Sequence, residues 1–117
     1  MNITIASPEG YQLDADVIAN AQAIAAGQGS TVSMTTDPLE AVSGAHAVYT
    51  DAWISMGDPE AMWSLQVSAL TPYRVTPEMM SHAAPDAIFM HCLPAHRGDE
   101  VATEVIDGPQ SVVFDQA

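Results

Sequence analysis

Ala87-Ile88-Phe89-Met90-His91-Cys92-Leu93-Pro94-Ala95-His96-Arg97-Gly98 decides how this chain is read. Its first four residues form an apolar run of strand length, and Pro94 and Gly98 keep residues 91–98 out of regular structure. A thiol, two imidazoles and one of only two arginines therefore gather where a strand ends. In open α/β sheets ligands bind beyond the carboxyl ends of the strands, so this loop is placed to be a site. A second stretch has the same form. Tyr49-Thr50-Asp51-Ala52-Trp53-Ile54-Ser55-Met56-Gly57 continues from the apolar residues 45–48 and ends on a permissive glycine before Asp58. Two polar loops after two strands can converge on one crevice.

The rest of the pattern fits such a sheet. Strands are expected over residues 3–6, 31–34, 47–50, 87–90 and 112–114. Between the first two, Val17, Ile18, Ala21, Ile24 and Ala25 recur at helical spacing, and Gly27-Gln28-Gly29 ends the run. Asp37-Pro38-Leu39-Glu40, Asp58-Pro59-Glu60 and Thr76-Pro77-Glu78 each set a capping side chain before a proline at the first helical position, with an acid in the first turn. A last short helix is expected from about Asp99 to Asp107-Gly108-Pro109. Strand and helix in alternation argue for an α/β fold: a parallel sheet with helices on both faces.

Composition narrows the function classes. The 117 residues make one small domain, and 48% apolar content is ordinary for a folded chain. Two arginines and no lysine stand against 15 acids, a formal net charge of −13. Phosphate backbones and anionic lipid surfaces repel such a chain, so neither nucleic acid nor membrane is expected as a partner. Salt tolerance and surface recharging for solubility both account for the acidity. One cysteine rules out an internal disulfide, and no signal peptide or long apolar span is present, so a reduced, cytoplasmic protein is expected. His91, Cys92 and His96 suit zinc by residue type, but a fourth ligand at characteristic spacing is missing, and no Gly-x-Gly-x-x-Gly loop follows a strand. No metal or cofactor is expected. His46 and His82 read as surface or helix-end residues, Trp53 as packing, and Met79, Met80 and Met90 as core.

Together, the Thr50-Asp51-x-Trp53-x-Ser55-Met56-Gly57 and His91-Cys92-Leu93-Pro94 segments resemble the amino-acid-binding half of the ornithine carbamoyltransferases, within the aspartate/ornithine carbamoyltransferase family. The resemblance runs over the whole chain and includes Asp37-Pro38-Leu39-Glu40-Ala41-Val42 and Asp107-Gly108-Pro109-Gln110-Ser111. It implies a Rossmann-like three-layer fold with a mostly parallel sheet of about five strands. It also implies that Asp51 pairs with the α-ammonium of ornithine while Ser55 and Met56 hold the amino-acid end. His91, Cys92 and Leu93 would complete the substrate site, with Cys92 near the attacking side-chain amine and the Cys92-Leu93 backbone facing the carbamoyl group. Cys92 is then a positioning and electrostatic group, since transfer to an amine needs no covalent nucleophile. Ser55-Met56-Gly57 favours ornithine over the amines of neighbouring carbamoyltransferases.

The resemblance carries expectations about what this sequence lacks. The family's carbamoyl-phosphate-binding domain, with its Ser-Thr-Arg-Thr-Arg loop, is absent, so residues 1–117 correspond to a partial ornithine-binding domain. The sequence ends just before the family's Glu-Asn-Arg, and Met1 falls at the second strand, leaving out the first, central one. Loss of that strand would expose unpaired backbone and apolar surface, which points to a homodimer or other self-association. Trp63, in the apolar segment Met62-Trp63-Ser64-Leu65-Gln66-Val67, is placed to cover such surface. Carbamoyl phosphate is a partner only with the missing domain, and the isolated chain is expected to be inactive. The rival expectation is a non-catalytic, self-associating fragment whose ligand loops are vestigial.

Overall fold

The structure, a computed structural model, describes residues 1–54 and 57–117. The chain divides into two compact units, Met1–Ala41 and Val42–Ala117.

In the first unit, strands β1 (Asn2–Ala6) and β2 (Thr31–Thr35) pair in parallel, with Ile3 opposite Val32 and Ile5 opposite Met34. Parallel neighbours need a crossover. Here it is helix α1 (Ala15–Ala26), which ends at Gly27 as the glycine pair at 27 and 29 leads one to expect. The Gln22 amide donates to Val32 O and ties the helix to β2. Of the apolar positions expected on one face of α1, Ile18 and Ala25 are buried, whereas Val17 and Ile24 remain 55% and 64% exposed. Helix α2 (Pro38–Val42) begins as its sequence requires, with Asp37 Oδ1 accepting from the Leu39 and Glu40 amides.

In the second unit, strands β3 (Ala47–Thr50) and β4 (Ile88–His91) pair in parallel, Val48 opposite Phe89 and Thr50 opposite His91. Between them run helices α3 (Trp63–Leu70) and α4 (Pro77–Ser81), the latter capped by Thr76 Oγ1, which accepts from Met79 N. The Asp58-Pro59 pattern behaves differently. Pro59 itself caps a 3-10 turn, Glu60–Met62, and the Asp58 carboxylate accepts from Gln66 Nε2 instead. Phe89 and Val101 are fully buried at the centre of a core that includes Val48, Val75, Met79, Met80, Val105 and Ile106. Trp63 stays 40% exposed.

Two sequence expectations need correcting. About five strands were expected; among the described residues four form, as two separate two-stranded parallel sheets. The apolar triplet 112–114 supplies a single bridge rather than a strand. Ser111 bridges to Phe89 and Val112 N–H bonds Phe89 O, after which the chain turns into helix α6 (Val113–Gln116). Phe114 is 83% exposed, so its position has no face to bury along a strand. The last-but-one helix also starts late. Gly98, at φ +90°, turns the chain so that Val101 pairs with Val75, and α5 spans only Thr103–Ile106. After it, Gly108 is required: a Cβ there would sit 2.5 Å from Glu104 O. No helix among the described residues is long and apolar enough to cross a membrane.

Candidate functional site

Register builds the centre of the site. Because Thr50 lies opposite His91, the next residues on each strand, Asp51 and Cys92, leave the sheet side by side. The Cys92 thiol donates to Asp51 Oδ1 at 2.9 Å, and Ala52 N–H donates to the same oxygen at 2.6 Å. The thiol's donation holds the Asp51 carboxyl below its ordinary 3.8, helped by the Ala52 amide. The same contact, then desolvation and the carboxylate's charge, pushes the Cys92 thiol above its ordinary 9.0. Near neutral pH the pair is therefore a carboxylate and a thiol, and Cys92 is not an activated nucleophile.

Behind this pair the loop is locked from within. His91 and Glu100 are buried at 1% and 0% exposure. Leu93 N–H donates to His91 Nδ1 at 2.8 Å, which leaves the ring's proton on Nε2, 2.8 Å from Glu100 Oε1. His96 N–H donates to the same carboxylate oxygen at 2.8 Å. Leu93 adopts φ +57°, a left-handed conformation uncommon for leucine, and precedes a cis peptide bond to Pro94. Backbone held in such a conformation by its surroundings is typical of ligand-binding loops.

The structure thus brings Asp51, Cys92 and Leu93 together and sets His91 beneath them, with both ring nitrogens already engaged. Ser55 and Met56, expected to hold the amino-acid end of the substrate, lie outside the described residues. Trp53 is half-buried, and the Arg74 guanidinium stands over its ring, 5.7 Å from the centroid, while Arg74 Nε donates to Asp99 O at 2.7 Å. Arg97 is paired with Asp107 through two hydrogen bonds. Both arginines of the chain thus have partners other than Asp51 and Cys92.

Three residues of this neighbourhood are not singled out by the sequence. Glu100 lies nine residues past His91 in a stretch with no recognisable spacing. Gln116 Oε1 accepts from His91 N at 3.0 Å, standing in for the next strand of the sheet on that edge of β4. Tyr49 is the third; desolvation first, then Cys92, raise its hydroxyl above the ordinary 10.0. Tyr49 did carry a signal. It stands two residues before Asp51, and alternate residues of a strand share a face.

Known proteins bear on this geometry. The family model for the Asp/Orn binding domain of aspartate/ornithine carbamoyltransferase matches residues 1–117. The ornithine carbamoyltransferase of Symbiobacterium thermophilum is 59% identical over all 117 residues, which cover 37% of its length. Among solved structures, ornithine carbamoyltransferase from Pyrococcus furiosus superimposes with a TM-score of 0.91 at 46% identity, over 98% of this chain and 36% of that one. The Gloeobacter violaceus enzyme gives 0.87 at 39% identity, over 99% of this chain and 37% of that one. This chain thus spans a little over a third of the length of the relatives it matches. The fold, the paired loops after β3 and β4 and the match along the whole chain place it in the aspartate/ornithine carbamoyltransferase family, in that family's Asp/Orn binding domain.

Proposed function

We propose that the chain provides the ornithine-binding part of an ornithine carbamoyltransferase site, with residues 1–117 forming a partial ornithine-binding domain. The observation that carries this reading is the Asp51–Cys92 contact at the paired ends of β3 and β4, followed by the left-handed Leu93. Asp51, ionised, pairs with the α-ammonium of ornithine, and Ser55 and Met56 hold the amino-acid end. Cys92, kept as a thiol, lies beside the side-chain amine, and the backbone of Cys92 and Leu93 faces the carbamoyl group. His91 acts through the loop it braces. In the reaction the neutral δ-amine attacks the carbamoyl carbon of carbamoyl phosphate, a tetrahedral intermediate forms, and phosphate leaves, taking up the proton the nitrogen sheds, to give citrulline. The protein's contribution is orientation and fixed charge.

The chain by itself transfers no carbamoyl group on this reading. A phosphate leaving group calls for several cationic or N–H ligands, and both arginines are engaged elsewhere. A second reading, a self-associating fragment with unused loops, is favoured by the exposed Met1, Ile3, Val17 and Ile24. Light scattering tests it; a monomer at working concentration removes it.

Calorimetric titration with L-ornithine tests the first reading. Binding is expected, and Asp51→Ala should weaken it about tenfold or more, the usual size of a charge-assisted hydrogen bond. Ornithine blocked by acetylation at the α-nitrogen should lose as much. Equal affinity for Asp51→Ala and the unaltered chain, or no ornithine binding by the unaltered chain, overturns the reading.

A further inference from the structure

Arg74 follows the 3-10 turn Thr71–Tyr73, between α3 and α4, and meets the loops after both β3 and β4. On the β4 side it is anchored. Arg74 Nε donates to Asp99 O at 2.7 Å, and the next amide, Val75 N–H, donates to Glu100 O at 3.0 Å. Ala102 N–H returns a bond to Val75 O at 2.9 Å, and the Val75 side chain is buried. Two neighbouring residues thus hold two neighbouring carbonyls, one of them that of Glu100, whose carboxylate accepts from His91 and His96. On the β3 side the guanidinium lies over the Trp53 ring, 5.7 Å from its centroid. Trp53 stands two residues past Asp51 and two before Ser55. A guanidinium can serve both sides at once, because its donors lie in its plane while its face stacks on an aromatic ring.

We propose that Arg74 is a positioning residue of this site: it ties the loop after β3, at Trp53, to the loop after β4, at Asp99, and so keeps Asp51 in place for the ammonium it receives. The two ends of the tie are unequal. Backbone bonds hold residues 99–102 with or without the side chain, so loss of the guanidinium frees the Trp53 end. This inference rests on the reading of the preceding subsection for the identity of the ligand; the two contacts of Arg74 do not.

Trp53 is one of two tryptophans, so Trp63→Phe in the full chain leaves it as the sole emitter. In that background Arg74→Gln, which removes the planar cation, should raise acrylamide quenching of Trp53. Amide exchange should rise at residues 52–54 and stay unchanged at 99–102. Affinity for L-ornithine, by calorimetric titration, should fall about two- to fivefold, the size of an exposed cation–ring contact. With Trp53→Leu already in place, Arg74→Gln should cost no further affinity, a coupling that a general loss of stability would not give. Quenching unmoved by Arg74→Gln, or an affinity loss undiminished in the Trp53→Leu chain, overturns the inference. So does unchanged ornithine affinity in a chain whose quenching rises. Raised quenching and exchange in a chain whose unaltered form binds no ornithine overturn the parent reading while upholding the tie between the loops.

Discussion

The unit of residues 1–41 and the unit of residues 42–117 both contain a parallel strand pair and helices, yet only the second has an interior. In the first, Ile18 and Ala25 are the buried apolar residues, at 9% and 8%, while Met1, Ile3, Leu13, Val17 and Ile24 range from 42% to 90% exposed. In the second, ten buried apolar side chains form one cluster around Phe89, and a histidine and a glutamate are sealed beside it. Backbone pairing shapes both units, but burial supplies most of the free energy that holds such shapes. The site belongs to the unit that has the core, because loops hold a geometry only as firmly as the strands beneath them.

That contrast is open to direct attack. The largest effect is expected from Phe89→Ala, at full burial, which should cost about 3–5 kcal/mol in urea unfolding, whereas Ile24→Ala, mostly exposed, should cost under about 0.5 kcal/mol. Comparable losses at the two positions would erase the difference between the units. Glu100→Ala comes next. It strips the acceptor from His91 Nε2–H and His96 N–H in a sealed space and should cost about 1–3 kcal/mol, with the Cys92 loop, rather than α1, gaining amide hydrogen exchange. Unchanged exchange in the loop would mean that the carboxylate does not hold it.

The smallest effect concerns the exposed Asp51–Cys92 contact. The Cys92 thiol is raised when folded, so its share of stability is complete below its unfolded value of 9.0 and fades as pH climbs through the folded one. Asp51 is lowered when folded, so its share is complete above 3.8 and fades as pH falls through the folded value. The stability gap between the unaltered chain and Cys92→Ala should therefore narrow as pH rises above 9.0. A gap that stays constant there would show that the thiol proton contributes nothing.

Much of this was legible in the sequence, for physical reasons. Apolar runs bounded by turn residues located the four strands among the described residues to within a residue or two, and proline after Asp37 or Thr76 located two helix starts. The positions of Asp51 and Cys92 came from two strands ending in polar loops. What was not legible depends on partners distant in sequence. Three apolar residues at 112–114 do not tell a strand from a helix, and the outcome turned on one bridge to Phe89. Whether His91 faces a ligand or the interior is decided by a carboxylate that local spacing does not reveal. The partner of Cys92 depends on strand register, which sets Asp51 beside it only after folding.

The His91 ring has a consequence beyond the residues it touches. An imidazole is a rigid plate with a handle at each end, here gripping the chain two positions ahead at Leu93 and nine ahead at Glu100. It works as a gauge block, holding both arms of the loop at a separation that no torsion can alter. An asparagine reproduces the reach of one handle and a glutamine that of the other, but neither spans both. Among polar side chains, the dimensions of this loop are therefore written in the width of a single aromatic ring.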